Sequence, residues 1–266
     1  MRGVTMLSCL LISFLSSVTG AICGIGGGVI IKPVLDLFRV ADVSTISFLS
    51  GCTVLSMSGY SVVKSFVSGE QNISIKTGTP LAAGAVVGGI LGKQLFSVLK
   101  SCFANEATIG VIQSICLAVV TILTLAYTLN KRKITPKHAN SSLISVGIGI
   151  ILGVMSSFLG IGGGPINLVA LQFFFGMDIK TAAANSLYII LFSQVASLLT
   201  SVLTANVPPI EVGVMLFMII GGIGGGILGR SLNKRMSVKA VDRLFILLMI
   251  IIILISIYNT YTMWNG

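Results

Sequence analysis

Acidic side chains are scarce in this chain, with seven Asp and Glu against 17 Lys and Arg in 266 residues. No paired carboxylates stand inside the apolar runs to serve as a proton relay. Histidine occurs once, as His138 in a basic stretch. A lone imidazole cannot build a metal site, and a solvated loop is its expected setting. The five cysteines, Cys9, Cys23, Cys52, Cys102 and Cys116, show no CxxC spacing, so neither a disulfide framework nor a zinc site is expected. Charged residues make up only 9% of the chain and hydrophobic ones 55%, with a mean hydropathy of +1.04. That balance excludes an ordinary soluble domain. The expected fold class is an all-α polytopic membrane protein. The net charge of +10 does not imply nucleic acid, because Lys and Arg fall in short loops between apolar runs.

The first twenty residues have the outline of a signal peptide, with Arg2 ahead of an apolar run. The apolar pattern continues to Phe38, so a resident segment is expected instead. Residues 4–38, 42–67, 79–99 and 107–129 form four apolar segments. A basic linker at 131–141 follows, and the pattern restarts over 142–177, 180–205, 210–229 and 241–258. A crossing needs roughly 20 apolar residues. The first run of each set, about 35 residues long, exceeds that.

What the chain has in plenty is glycine, and its placement is doubled. Gly24-Ile25-Gly26-Gly27-Gly28 recurs letter for letter as Gly160-Ile161-Gly162-Gly163-Gly164, 136 positions later. Asp42 pairs with Asp178, Thr45 with Thr181 and Ser50 with Ser186 at the same offset. Gly88-Gly89-Ile90-Leu91-Gly92-Lys93 pairs with Gly225-Gly226-Ile227-Leu228-Gly229-Arg230. The chain reads as a tandem duplication, residues 1–130 and 142–266 joined by the 131–141 linker, as in many secondary transporters.

Adjacent glycines break a helix and let backbone N–H groups converge on an anion. A helix N-terminus after the break adds partial positive charge, and Pro165 suits a first helical turn. No GKS or GKT follows, so this is no P-loop, and no strand precedes it as a dinucleotide fingerprint requires. Gly84, Gly88, Gly92 and Gly221, Gly225, Gly229 are different: four-residue spacing makes a helix-packing face. Thr45, Ser47, Ser50 and Ser58, with Thr181, Asn185, Ser186 and Gln194, are polar inside the second segments. Of these, Asn185 and Ser186 are the sharpest, since a buried amide needs a partner. Asn167 lines the same site or caps the restarted helix. Lys32 is expected to snorkel to the interface, and Asp42 and Asp178 to cap helix N-termini.

At these residues the chain resembles the TauE/SafE family of membrane transporters, associated with sulfite, sulfonates and related organosulfur anions. Gly24–Gly28 with Pro33 and Leu35, and Gly160–Gly164 with Leu171, fit the family's glycine-rich pattern, while Val169 stands where a proline is expected. Asn185-Ser186 looks like the family's small polar pair. The expected function is therefore secondary transport of a small anion, plausibly sulfite, a sulfonate or another organosulfur anion. No enzyme activity, cofactor or metal is expected. The substrate-binding residues are expected to be Gly24, Gly26, Gly27, Gly28, Thr45, Ser50, Gly160, Gly162, Gly163, Gly164, Asn167, Asn185 and Ser186. The partners are that anion and the lipid bilayer of the cell membrane, without nucleic acid; a homo-oligomer stays open. Two other functions stay open: a membrane-embedded sulfur-transfer or redox protein using Cys23, and a passive anion channel.

Charge counting selects a topology. If every run crosses once, the 17 basic residues split 10 against 7. If runs 4–38 and 142–177 are hairpins that turn at GIGGG, the split is 12 against 5. The positive-inside rule favours the second arrangement. It implies inverted halves, both termini outside, the linker inside and adjacent hairpin tips.

Overall fold

A computed structural model describes residues 2–70, 72–103, 106–139 and 141–264. Asn140, within the linker, and the C-terminal Asn265 lie outside them. The described residues form helices and no strand: α1 (Arg2–Cys23), α2 (Gly28–Leu37), α3 (Val43–Val67), α4 (Ile75–Cys102), α5 (Glu106–Asn130), α6 (Ser142–Leu159), α7 (Pro165–Phe175), α8 (Ile179–Leu203), α9 (Val212–Arg235) and α10 (Val238–Trp264). A single 3-10 turn, Lys131–Lys133, opens the linker. Eight of the helices are long and apolar enough to cross a bilayer; α2 and α7 are short.

The packing follows from the glycine faces. Gly84, Gly88 and Gly92 of α4 lie against the carbonyls of Val146, Ile150 and Val154 of α6. Gly221, Gly225 and Gly229 of α9 lie against those of Leu10, Phe14 and Val18 of α1. A Cβ built on any of the six would come within 3.0 Å of a carbonyl oxygen, so only glycine permits the approach. Each glycine helix thus clamps the first helix of the other half of the chain. The numbering rises together along both pairs, so α1 runs parallel to α9 and α6 parallel to α4. Gly222 beside Thr53 and Gly226 beside Met57 align α3 with α9.

These directions fix two faces. One, the terminal face, holds the start of α1, with Met6 beside Gly213 at the head of α9, and the end of α10. The other, the linker face, holds residues 131–139. Run α1–α2 begins at the terminal face and returns to it, since Arg39 donates to the Thr262 carbonyl near the end of α10. Run α6–α7 begins at the linker face and returns there. The Lys137 and Ala139 amides donate to Phe173 and Phe174 of α7. Both runs are hairpins, and deep ones. Gly24 abuts Ala183 in the second turn of α8, close to the linker face. Gly160 abuts Ser47 in the second turn of α3, close to the terminal face.

The linker face carries Lys64, Lys76, Lys131, Arg132, Lys133, Lys137, Lys180, Arg230, Lys234, Arg235, Lys239 and Arg243; the terminal face carries Arg2, Lys32, Arg39, Lys93 and Lys100. The core surrounds the two hairpin turns: Cys23, Ile25, Ile161, Leu168 and Ile189 belong to one cluster of buried apolar side chains. Cys23 itself is fully buried there.

Candidate functional site at the glycine junction

The two GIGGG segments run back from their hairpin tips and cross at mid-depth. A Cβ on Gly28 would fall within 3.0 Å of the Ile161 carbonyl, and one on Gly163 would lie 3.3 Å from the Ile25 carbonyl. Gly26 faces Gly162, with Val54 of α3 and Ile190 of α8 on either side. The segments meet antiparallel, start against end, around the Gly26–Gly162 contact.

Local conformation explains why the repeat is not perfectly symmetrical. Gly24 and Gly160 have φ of +72° and +65°, and Gly26 and Gly162 have +75° and +70°. Then the copies diverge. Gly27 is right-handed, φ −65°, and α2 restarts at Gly28. Gly163 has φ +148° and Gly164 is extended, with α7 restarting at Pro165. A residue before proline is pushed to extended backbone. Val29 occupies the matching place in the first copy, so nothing delays that helix.

A polar cavity adjoins the junction on each side. Toward the linker face one of about 60 Å3 is lined by Ala21, Ser61, Ala183, Arg230, Asn233 and others. Toward the terminal face a smaller one, about 10 Å3, is lined by Ser47, Lys93, Phe96, Ser157, Gly160, Gln194 and Ser197 among others. Their linings correspond under the repeat: Ser47 with Ala183, Ser157 with Ala21, Ser197 with Ser61, and Lys93 with Arg230.

The two basic residues are differently served. Arg230 donates to the Ser61 carbonyl, to Ser65 Oγ at 2.9 Å and to Glu70 at 2.6 Å. Lys234 pairs with the same carboxylate at 2.5 Å. Burial alone would raise the Glu70 pKa, but the hydrogen bond from Lys234 and the charge of Arg230 hold it below the usual carboxylate value. Lys93 has its ammonium 5.1 Å from the Phe96 ring centre, and among the described residues no carboxylate pairs with it.

The expected site residues divide into four groups. The glycines form the junction, packed against one another; Gly160 also lines the terminal-side cavity. Ser50, Ser186 and Asn167 are buried around it, and among the described residues Ser50 Oγ, Ser186 Oγ and Asn167 Oδ1 find no hydrogen-bond partner. Thr45 lies apart, in a wide vestibule at the terminal face with Asp36, Arg39 and Glu106. Asn185 is engaged elsewhere. Its Nδ2 donates to the carbonyls of Asn72 at 2.9 Å and Thr181 at 2.8 Å, and its Oδ1 accepts from the Ser74 amide at 3.0 Å. It pins the α3–α4 loop. Asn185→Leu is accordingly expected to lower the melting temperature and speed hydrogen exchange at Ser74. The cost is on the order of 1–3 kcal/mol, because a part-buried amide loses its acceptor.

Three expectations need correction. The hairpin tips are not adjacent: Gly24 lies beside Ala183 near the linker face and Gly160 beside Ser47 near the terminal face, so the two segments pass each other and meet only where they cross. Lys32 does not snorkel: it is 3% exposed and pairs with Asp36, one turn on, at 2.7 Å. A partner at i+4 makes burial tolerable where an unpaired ammonium would seek water. Asp178 caps α8, accepting from the Lys180 and Thr181 amides, but the Asp42 side chain makes no capping bond to α3. There Glu106 of α5 takes the role, accepting from the Ser44 amide at 3.2 Å and Ser44 Oγ at 3.0 Å. Sequence reasoning missed Lys93, Ser157 and Arg230 as site residues. Alignment of the two glycine faces was the available signal, since it sets a basic residue after each.

The family profile described as Sulfite exporter TauE/SafE matches residues 9–255. The chain is 23% identical to the Probable membrane transporter protein YunE of Bacillus subtilis (strain 168), over 91% of this chain and 93% of that protein. It is 24% identical to the Probable membrane transporter protein MJ0441 of Methanocaldococcus jannaschii, over 86% of this chain and 87% of that protein. No solved structure matches it.

Proposed function

The chain belongs to the Sulfite exporter TauE/SafE family, and from that premise we propose that it is a secondary transporter of the cell membrane for a small anion, a sulfur oxyanion or organosulfonate. One observation carries the reading. Two buried glycine segments cross at mid-depth, and a polar cavity with a basic residue lies on either side of the crossing. The crossing is the partition, and the cavities are the two ends of an alternating path. Backbone amides of the GIGGG segments, with Ser50, Asn167 and Ser186, contact the anion as it passes. Neutral donors suit this task because a permanently buried charge is costly. Asn185 belongs to the frame. By charge count the linker face is cytoplasmic.

Reconstituted protein should take up labelled sulfite with saturation, and uptake should accelerate when unlabelled sulfite preloads the vesicles. Flux linear in concentration and indifferent to preloading would assign a channel instead. Cys23→Ser should retain uptake; its thiol lies in the apolar core, where it behaves as a small hydrophobe.

A further inference from the structure

Lys93 is half-buried and faces a cavity that, among the described residues, no carboxylate neutralises. An ammonium partly withdrawn from water without a counter-charge carries a cost. The matching Arg230 avoids that cost through Glu70, Ser65 and the Ser61 carbonyl. Around Lys93 the wall instead offers unused neutral donors. Ser47 is 8% exposed and Ser157 is 5% exposed, and the hydroxyl of each lacks a hydrogen-bond partner among the described residues. Gln194, buried beside them, reaches only Ser156 Oγ, at 3.4 Å. The cavity therefore presents one formal positive charge, several donors and no formal negative charge. Phe48, Phe96 and Leu198 close it with apolar surface.

We propose that this cavity is the anion subsite, and that it selects a singly charged oxyanion, such as a sulfonate headgroup, over a dianion such as sulfate. The proposal rests on the transport reading and gives that reading its charge rule. One ammonium balances one negative charge; the second charge of a dianion would be buried with neutral donors alone. The free space, about 10 Å3, matches roughly one water. Entry of a headgroup thus requires hairpin α6–α7 to draw back from α3, where Gly160 meets Ser47.

The test uses the full chain in proteoliposomes with labelled methanesulfonate, a monoanion at every working pH. Lys93→Gln should raise its half-saturation about 30-fold, as expected for a lost charged hydrogen bond. Lys93→Arg should stay within a few-fold of wild type, and excess sulfate should compete weakly against the wild-type protein. Wild-type half-saturation in Lys93→Gln, or sulfate competing as well as methanesulfonate, would overturn the subsite while leaving transport standing. If wild-type vesicles move no anion at all, the transport reading fails. The subsite is then read from melting temperature in detergent. A methanesulfonate-dependent rise present in wild type and Lys93→Arg, but absent in Lys93→Gln, supports it. No rise in wild type overturns it. Monodisperse Lys93→Gln protein is the entry condition, and Lys93→Met serves where it is not met.

Discussion

Gly28→Ala is expected to abolish transport, whereas Gly147→Ala leaves it intact. A Cβ on Gly28 would enter the Ile161 carbonyl and lie 2.7 Å from Ser50 Oγ, so it is trapped between the opposing hairpin and α3. A carbonyl on a crossed backbone cannot rotate aside as a side chain can, and overpacking of this kind typically costs about 1–3 kcal/mol. The two segments would have to part, and the partition with them. Nothing lies within 4 Å of a Cβ on Gly147. Two other glycines of the junction fail valine for different reasons. Gly163→Val is strained by its φ of +148°, but Gly27 has an ordinary φ, and Gly27→Val fails because Ser17 of α1 crowds it. Initial uptake rates beside size-exclusion profiles check the contrast. Full uptake in a well-folded Gly28→Ala protein would remove the junction from the transport path.

The second large effect is all-or-none. On a cysteine-free background, Asn206→Cys should react with a membrane-impermeant thiol reagent added to intact cells. Lys137→Cys and Ser237→Cys should react only after permeabilisation. All three parent residues are exposed. Asn206 follows α8 at the terminal face, while Lys137 and Ser237 lie at the linker face. Eight plain crossings would put Lys137 and Ser237 on opposite sides, so labelling them from different sides defeats the hairpin arrangement. Asn140 and Asn265 would be natural probe sites but lie outside the described residues.

Much of this is legible in the sequence, and the legible part is the local part. Glycine runs inside apolar segments marked the breaks, because a break is a property of a few adjacent residues. Pro165 marked the restart of α7 for the same reason. The i,i+4 spacing of Lys32 and Asp36 is a local signal too, one that the snorkelling expectation passed over. What escaped depends on distant chain segments. Asn185 looked like a ligand donor because its partners, Asn72 and Ser74, come from the end of the preceding loop in the other half. Nothing local to Lys93 in the sequence marks it as lining a cavity. Its cavity exists only because α3, α6 and α8 bring Ser47, Ser157 and Gln194 to the same place. The antiparallel crossing likewise follows from two hairpins entering from opposite faces, which no single segment encodes.

The glycine clamps also set an order of assembly. Leu10, Phe14 and Val18 of α1 close onto Gly221, Gly225 and Gly229 of α9, which leave the ribosome only after α2 to α8 have been made. Helix α6, by contrast, emerges after its partner α4 and can dock at once. The first hairpin must therefore wait in the membrane, its turn unsealed, while α3 to α8 are made. Contacts so far apart in sequence form slowly and leave surfaces open to wrong partners. A chain truncated before α9 would hold every residue of the first GIGGG and still lack the groove that seats it. Biogenesis, and not only transport, thus depends on small residues of a helix made long after the one it holds.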